Sequence, residues 1–181
     1  MARLIALLSI CLGLACAGKP VVSDGAGKRI LLVHDDGKTD GTIAFPSPDY
    51  EAVLRFELPP GEHRLAHLWF HAAAAGTIHW ALYEQTALET PGAVIAEGTR
   101  EVAATDVCDG RAGVWLTQDL SQLAARQGVV WVGLKKAAGE PTIWASSTPT
   151  RAYFVRNVNP RTPMDLLPVK RSPHLRLEVA P

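Results

Sequence analysis

The sequence predicts an all-β protein, an antiparallel β-sandwich with at most one short helix, on two observations. First, apolar and polar side chains alternate with period two through its clearest segments, which is the signature of half-buried strands. In residues 64–72 Ala66, Leu68, Phe70 and Ala72 alternate with Leu65, His67, Trp69 and His71, and in residues 77–84 Ile78, Trp80 and Leu82 alternate with Thr77, His79, Ala81 and Tyr83. Second, such runs are short and recur at roughly ten-residue spacing between Gly, Pro and Asp clusters, the pattern of a sandwich or barrel.

In order, residues 29–34 (RILLVH) read as a strand ended by the acidic turn 35–41, and residues 50–57 as a strand with Ala52, Leu54 and Phe56 on one side. Leu58-Pro59-Pro60-Gly61 then turns the chain into a central hairpin, whose two strands, 64–72 and 77–84, are joined across Ala73-Ala74-Ala75-Gly76. A helix is the competing reading there, because His63, His67 and His71 recur every fourth residue in an Ala-rich stretch. The β-branched and aromatic flanks and the Gly-Thr break favour strands. Residues 94–102 and 113–120 follow as strands, and residues 119–126 form two helical turns capped by Asp119. Residues 128–135 (GVVWVGLK), the most continuously apolar part of the mature chain, make a central strand. Residues 141–145, 151–156 and 174–179 complete the sandwich.

The chain has 181 residues, 48% of them apolar, with 18 acidic and 18 basic side chains, which fits one globular domain and offers no cationic face for nucleic acid. The apolar run 4–17 after Arg3 is too short to span a bilayer and reads as an export signal. Two cleavage readings stay open. Gly13-Leu14-Ala15-Cys16 resembles the bacterial lipobox, and Ala15-Cys16-Ala17 fits the small-x-small rule of ordinary signal peptidase. The organisation expected is a lipoprotein-type signal at 1–15, lipidation of Cys16, a tether at 16–28 and the sandwich at 29–181. Removing the leader leaves Cys108 alone in the mature chain beyond the anchor, so no internal disulfide is available and the core must supply stability. Carboxylates on both sides of Cys108 make it a poor nucleophile.

The order of short motifs is familiar: Asp35-Asp36-Gly37, Phe45-Pro46, Leu54-Arg55-Phe56, Ile78-His79-Trp80, Thr90-Pro91-Gly92. It continues through residues 114–121 (VWLTQDLS) and 130–133 (VWVG), Arg151-Ala152-Tyr153 and a closing Leu175-Arg176-Leu177. This order resembles the jelly-roll-like β-sandwich modules attached to secreted bacterial proteases and other surface proteins, over residues 30–179. The resemblance implies a stand-alone exported β-sandwich and brings no catalytic signature. Because Ala17 is not Asp, the likeness to bacterial lipoproteins implies sorting to the outer membrane if the envelope is Gram-negative, and otherwise an extracellular or envelope location.

Neither Gly-x-Ser-x-Gly, His-Glu-x-x-His, paired Cys-x-x-Cys nor a dinucleotide glycine motif occurs, and the apparent phosphate loop at 25–28 lacks its required Gly and Ser or Thr. The expected function is therefore non-catalytic: an envelope or extracellular binding or structural module, membrane-anchored if Cys16 is modified. A carbohydrate-binding protein is the alternative, and an unrecognised hydrolase stands behind it. Trp69, Trp115 and Trp144 are the residues expected to face outward and stack on a glycan or protein partner, while Trp80 and Trp131 belong to the core. His67, His71 and His79 form a candidate zinc or copper cluster, with His71 opposite His79 across the hairpin. Asp35, Asp36 and Asp40, in a loop bounded by Gly37 and Gly41, form a candidate structural calcium site. Ordinary turn chemistry explains the same Asp-Gly pairs.

Overall fold

The structure, a computed structural model, describes residues 29–107, 114–147, 152–156 and 166–181. The leader, Cys16, the tether and the Cys108 loop lie outside the described residues. Among the described residues eleven strands follow in order: β1 (Ile30–Val33), β2 (Gly41–Ala44), β3 (Tyr50–Glu57), β4 (Arg64–Gln85), β5 (Pro91–Val102), β6 (Val114–Asp119), β7 (Val129–Ser146), β8 (Ala152–Arg156), β9 (Leu166–Pro168), β10 (Ser172–Pro173) and β11 (Leu175–Ala180). One turn of 3₁₀ helix, Ala104–Asp106, interrupts them. All pairings are antiparallel, as the period-two pattern requires, and run β1-β11-β4-β7-β3-β8-β9, with β5 and β6 along β4 and with β2 and β10 along β7.

The expected hairpin across Ala73 to Gly76 does not form. Residues 64–85 are one strand of 22 residues. Its N-terminal half lies between β11 and β6, and its C-terminal half lies between β7 and β5. The Ala-Gly stretch is a bend rather than a turn, with register shifts after Ala72, Ala74 and Thr77. β7 likewise joins the two expected strands 128–135 and 141–145 into 18 residues. At the bend Gly76 lies opposite Gly139, and both have positive φ, 146° and 68°. A Cβ on Gly76 would stand 2.7 Å from Pro141 Cδ and one on Gly139 would stand 3.2 Å from Gly76 Cα. Glycine is thus required twice, for backbone angle and for close approach. Bulged long strands that pass from one half of a curled sheet to the other are a known way of turning such corners.

The curled sheet encloses one main core. Phe56 from β3, Leu68, Phe70, Ile78, Trp80 and Leu82 from both halves of β4, Leu116 from β6 and Leu177 from β11 share it. Alternation in β4 therefore places side chains as expected from Leu68 to Ala72 and from Ile78 to Leu82, while at the start of the strand Leu65 and not Ala66 joins this core. Burying each such side chain contributes about 1.5–3 kcal/mol. Trp131 is also buried, but it belongs to a second cluster with Val53, Ala81, Tyr83 and Val155. There the phenol of Tyr83 donates to the buried carboxylate of Glu51 (2.7 and 2.8 Å), which sits where a Cβ on Gly133 would lie.

The helix expected at 119–126 is absent. Asp119 does start a turn, its carboxylate accepting from the Ser121 N–H at 2.8 Å, but Arg126 then pairs its backbone with His63, which draws the chain out. Strands β2, β9 and β10 lie in segments where the sequence predicts no strand.

Candidate functional site

On the face of β4 turned away from the main core, alternation presents His67, Trp69 and His71, and register sets Trp115 of β6 opposite His71 and Arg176 of β11 opposite Trp69. The His71 and Trp115 rings stack at 4.7 Å and 10°, with His174 parallel to both. Arg176 lies 4.2 Å from the Trp115 centroid and grips Asp35 with two hydrogen bonds, Nε to Oδ2 at 3.0 Å and Nη2 to Oδ1 at 2.6 Å. This fork geometry is the strong form of an ion pair. Burial alone would raise the Asp35 carboxyl, but the Arg176 guanidinium outweighs it and holds the group below the usual carboxylate range.

His174 Nε2 donates to the Lys38 carbonyl (2.9 Å), and burial pushes its pKa below the ordinary histidine value despite the nearby Asp35 charge. Neutral His174 thus keeps its proton on Nε2, so its Nδ1 accepts from His71 Nδ1–H at 3.2 Å. Asp40 accepts from both the backbone N–H and the hydroxyl of Ser147, and Ser172 donates to the His34 carbonyl. Together these contacts fasten the 34–40 segment onto β11 and β7. The assembly is a latch in which ring faces and charged groups are already mated to one another.

That geometry reassigns most residues singled out by sequence. Asp35, Asp36 and Asp40 do not converge: Asp35 faces Arg176, Asp36 accepts from the Lys38 N–H, and Asp40 faces Ser147. His67, His71 and His79 lie along one extended strand and not across a hairpin. His67 Nδ1 is 2.6 Å from Glu178, His79 is 3.2 Å from Glu97, and His71 belongs to the latch. Among the described residues no three His, Cys, Asp or Glu side chains are grouped to hold a metal. Trp144, expected outward, is buried, because residues 141–146 continue β7 between β2 and β10. Trp115 is half-buried under Arg176 and His71, and Trp69 is half-buried with its indole nitrogen enclosed and unpaired among the described residues.

An open concavity lies elsewhere, at the C-terminal end of β4. Glu84, Gln85, Ile95, Arg126, Gln127, Val129 and Val130 line a cleft of about 300 Å³. Half-buried Ile95 and Val129 give it an aliphatic side. Arg126 Nη1 donates to Glu84 Oε1 at 3.2 Å, and Gln85 Oε1 accepts from Arg55 Nε at 3.1 Å. Sequence inspection missed this site, since its residues come from three separate segments and none belongs to a motif. The one local signal was the cluster of polar residues, Glu84-Gln85 and Arg126-Gln127, flanking apolar strands.

No family model and no curated protein matches the chain. Among solved structures it is similar to the cysteine protease and lectin-like domains of Cwp84, a surface layer associated protein of Clostridium difficile, with a TM-score of 0.57 and 8% identity. That match covers 84% of this chain and 36% of the other. The structure of the clostridial cysteine protease Cwp84 after propeptide cleavage matches equally, at a TM-score of 0.57 and 8% identity, over 84% of this chain and 40% of that one. The chain therefore spans well under half the length of these neighbours. At such identity the likeness is one of fold.

Proposed function

We propose that the chain is an exported, non-catalytic β-sandwich that binds a partner at the bacterial envelope, anchored by a lipid on Cys16 once residues 1–15 are removed. The observation that carries this reading is the fold shared with a surface-layer associated protein that contains lectin-like domains, in a chain whose N-terminus has the pattern of an export signal. A non-catalytic role is favoured because the buried titratable groups of the latch are engaged with one another, Asp35 by Arg176 and His174 by His71. The cleft beside Glu84, open and of mixed polarity, is the better binding surface. Anchoring is tested by mass spectrometry of the mature N-terminus and by fractionation. A diacylglyceryl Cys16 in the outer-membrane fraction is expected. An unmodified start at Gly18 would refute the lipid anchor, and retention of Met1 in the cytosol would refute export.

A further inference from the structure

We infer that the Glu84–Arg126 cleft is a subsite for one neutral sugar ring of a surface or extracellular glycan, an assignment that rests on the binding-module reading above and gives it a ligand class. Three features of the cleft point to this chemistry. Its volume, about 300 Å³, is at the small end of ligand sites, which run from roughly 300 to 1,000 Å³. Half-buried Ile95 and Val129 suit the C–H face of a pyranose. Around them stand one carboxylate, one guanidinium and two primary amides. A sugar hydroxyl both donates and accepts, so a ring of hydroxyls is matched by such a mixed set, with Glu84 accepting and Gln85, Gln127 and Arg126 donating. A purely anionic ligand would meet Glu84, and a cationic one would meet Arg126.

Those groups are also free to change partners. The Glu84 and Arg126 side chains keep 55% and 32% of their exposure, so their contact is a surface pair that a hydroxyl can replace at small cost. The Gln127 side chain and the Gln85 amide nitrogen make no hydrogen bond among the described residues. Behind the rim, Arg126 Nε is buried without a hydrogen-bond partner among the described residues. So are both ring nitrogens of His63, whose backbone is paired with that of Arg126. Opposed residues of an antiparallel bridge put their side chains on the same face, so the His63 ring lies on the same side of the ladder as the Arg126 side chain.

The test presents the full-length chain to immobilised dextran, mannan, galactan and laminarin, with alginate as the acidic comparison. Retention on at least one neutral glycan, competed by its free monosaccharide, is expected. Glu84→Ala and Gln127→Ala, both at exposed positions, should each weaken it at least tenfold without moving the melting midpoint, whereas Trp69→Ala on the latch face should leave it unchanged. Neutral-glycan binding of wild-type strength in both cleft variants overturns the cleft assignment but leaves a glycan-binding module standing. Salt-sensitive binding to alginate alone overturns the neutral-sugar class. A chain found on the envelope that retains no glycan overturns the inference while sparing the surface reading, and one found in the cytosol overturns both.

Discussion

Replacing Arg176 by Met would keep an aliphatic stem over Trp115 and remove only the guanidinium. Asp35 would then hold a carboxylate with 0% of its side chain exposed and without its two charged hydrogen bonds of 3.0 and 2.6 Å, left with the Gly37 N–H at 2.9 Å. Removing one partner of a buried pair costs about 3–5 kcal/mol, because the remaining charge has neither water nor counter-ion. Loss of the cation from the Trp115 face adds roughly 0.5–1 kcal/mol. Asp35→Asn should cost less, about 1.5–3 kcal/mol, since the amide still accepts a hydrogen bond. In the double variant no charge is stranded, so its cost should fall short of the sum by at least about 1.5 kcal/mol. Urea unfolding of the four proteins at neutral pH, followed by tryptophan fluorescence, measures this. The coupling should persist in 1 M salt (roughly the level that screens charges beyond ~3 Å), because the pair is buried. Costs that add within about 0.5 kcal/mol would refute the latch as a coupled unit.

Acid should loosen the latch before it protonates Asp35. Burial lowers the pKa of both His34 and His174 from 6.5, so their contribution is complete above 6.5 and is lost as pH falls through the lowered values. A second loss follows below 3.8 as Asp35 is protonated. Urea midpoints across the acid range should show both steps, and His174→Gln should shrink the first; a flat profile between neutrality and the carboxylate range would contradict the buried, neutral imidazoles. Trp131→Ala should cost about 3–5 kcal/mol in urea unfolding, although the ring lies outside the main core, and a change within error of wild type would mean that its strand phase is wrong. Gly133→Ala should destabilise by roughly 1–3 kcal/mol by the same measurement, because its new Cβ meets the Glu51 carboxylate, and removing that carboxylate with Glu51→Gln should not relieve a clash of shape. Thermal midpoints with calcium and with chelator should coincide, since Asp35, Asp36 and Asp40 already face Arg176, Lys38 and Ser147; a rise with calcium would restore the metal site.

Strand phase was legible where it depends only on neighbours in sequence. Leu68, Phe70, Ile78, Trp80 and Leu82 point into the main core as alternation says. What the sequence hid was continuity. Ala73 to Gly76 and Ala137 to Glu140 interrupt the apolar alternation, yet they extend because β4 and β7 pair across the bend, Ala74 with Thr142 and Gly76 with Gly139, a tertiary contact that local propensity does not contain. The lost hairpin also took the histidine cluster with it, since His71 and His79 could meet only across a turn. Likewise the Asp-Gly loop carries the acids expected of a calcium site, but their fate was set by Arg176 and Ser147, which lie more than a hundred residues away in sequence. The cleft was invisible for the same reason: Glu84, Ile95, Arg126 and Val129 meet only once β4, β5 and β7 are side by side.

The unbroken β4 has a consequence for how the two sites communicate. His71 of the latch and Glu84 of the cleft lie on the same strand, at most about 43 Å apart at ~3.3 Å per residue, with the Gly76–Gly139 bend between them. Every residue from Ile78 to Glu84 is paired to β7, and most are also paired to β5, so the cleft end is held by a ladder independent of Asp35 and Arg176. A latch lesion can reach the cleft only by unfolding the shared core or by shifting a strand that is locked on both sides. Closely packed, doubly paired strands resist the second route. Loosening the latch by acid or by Arg176→Met should therefore lower the fraction of folded protein without altering the affinity of the molecules that remain folded, so the two sites are joined by stability and not by conformational signalling.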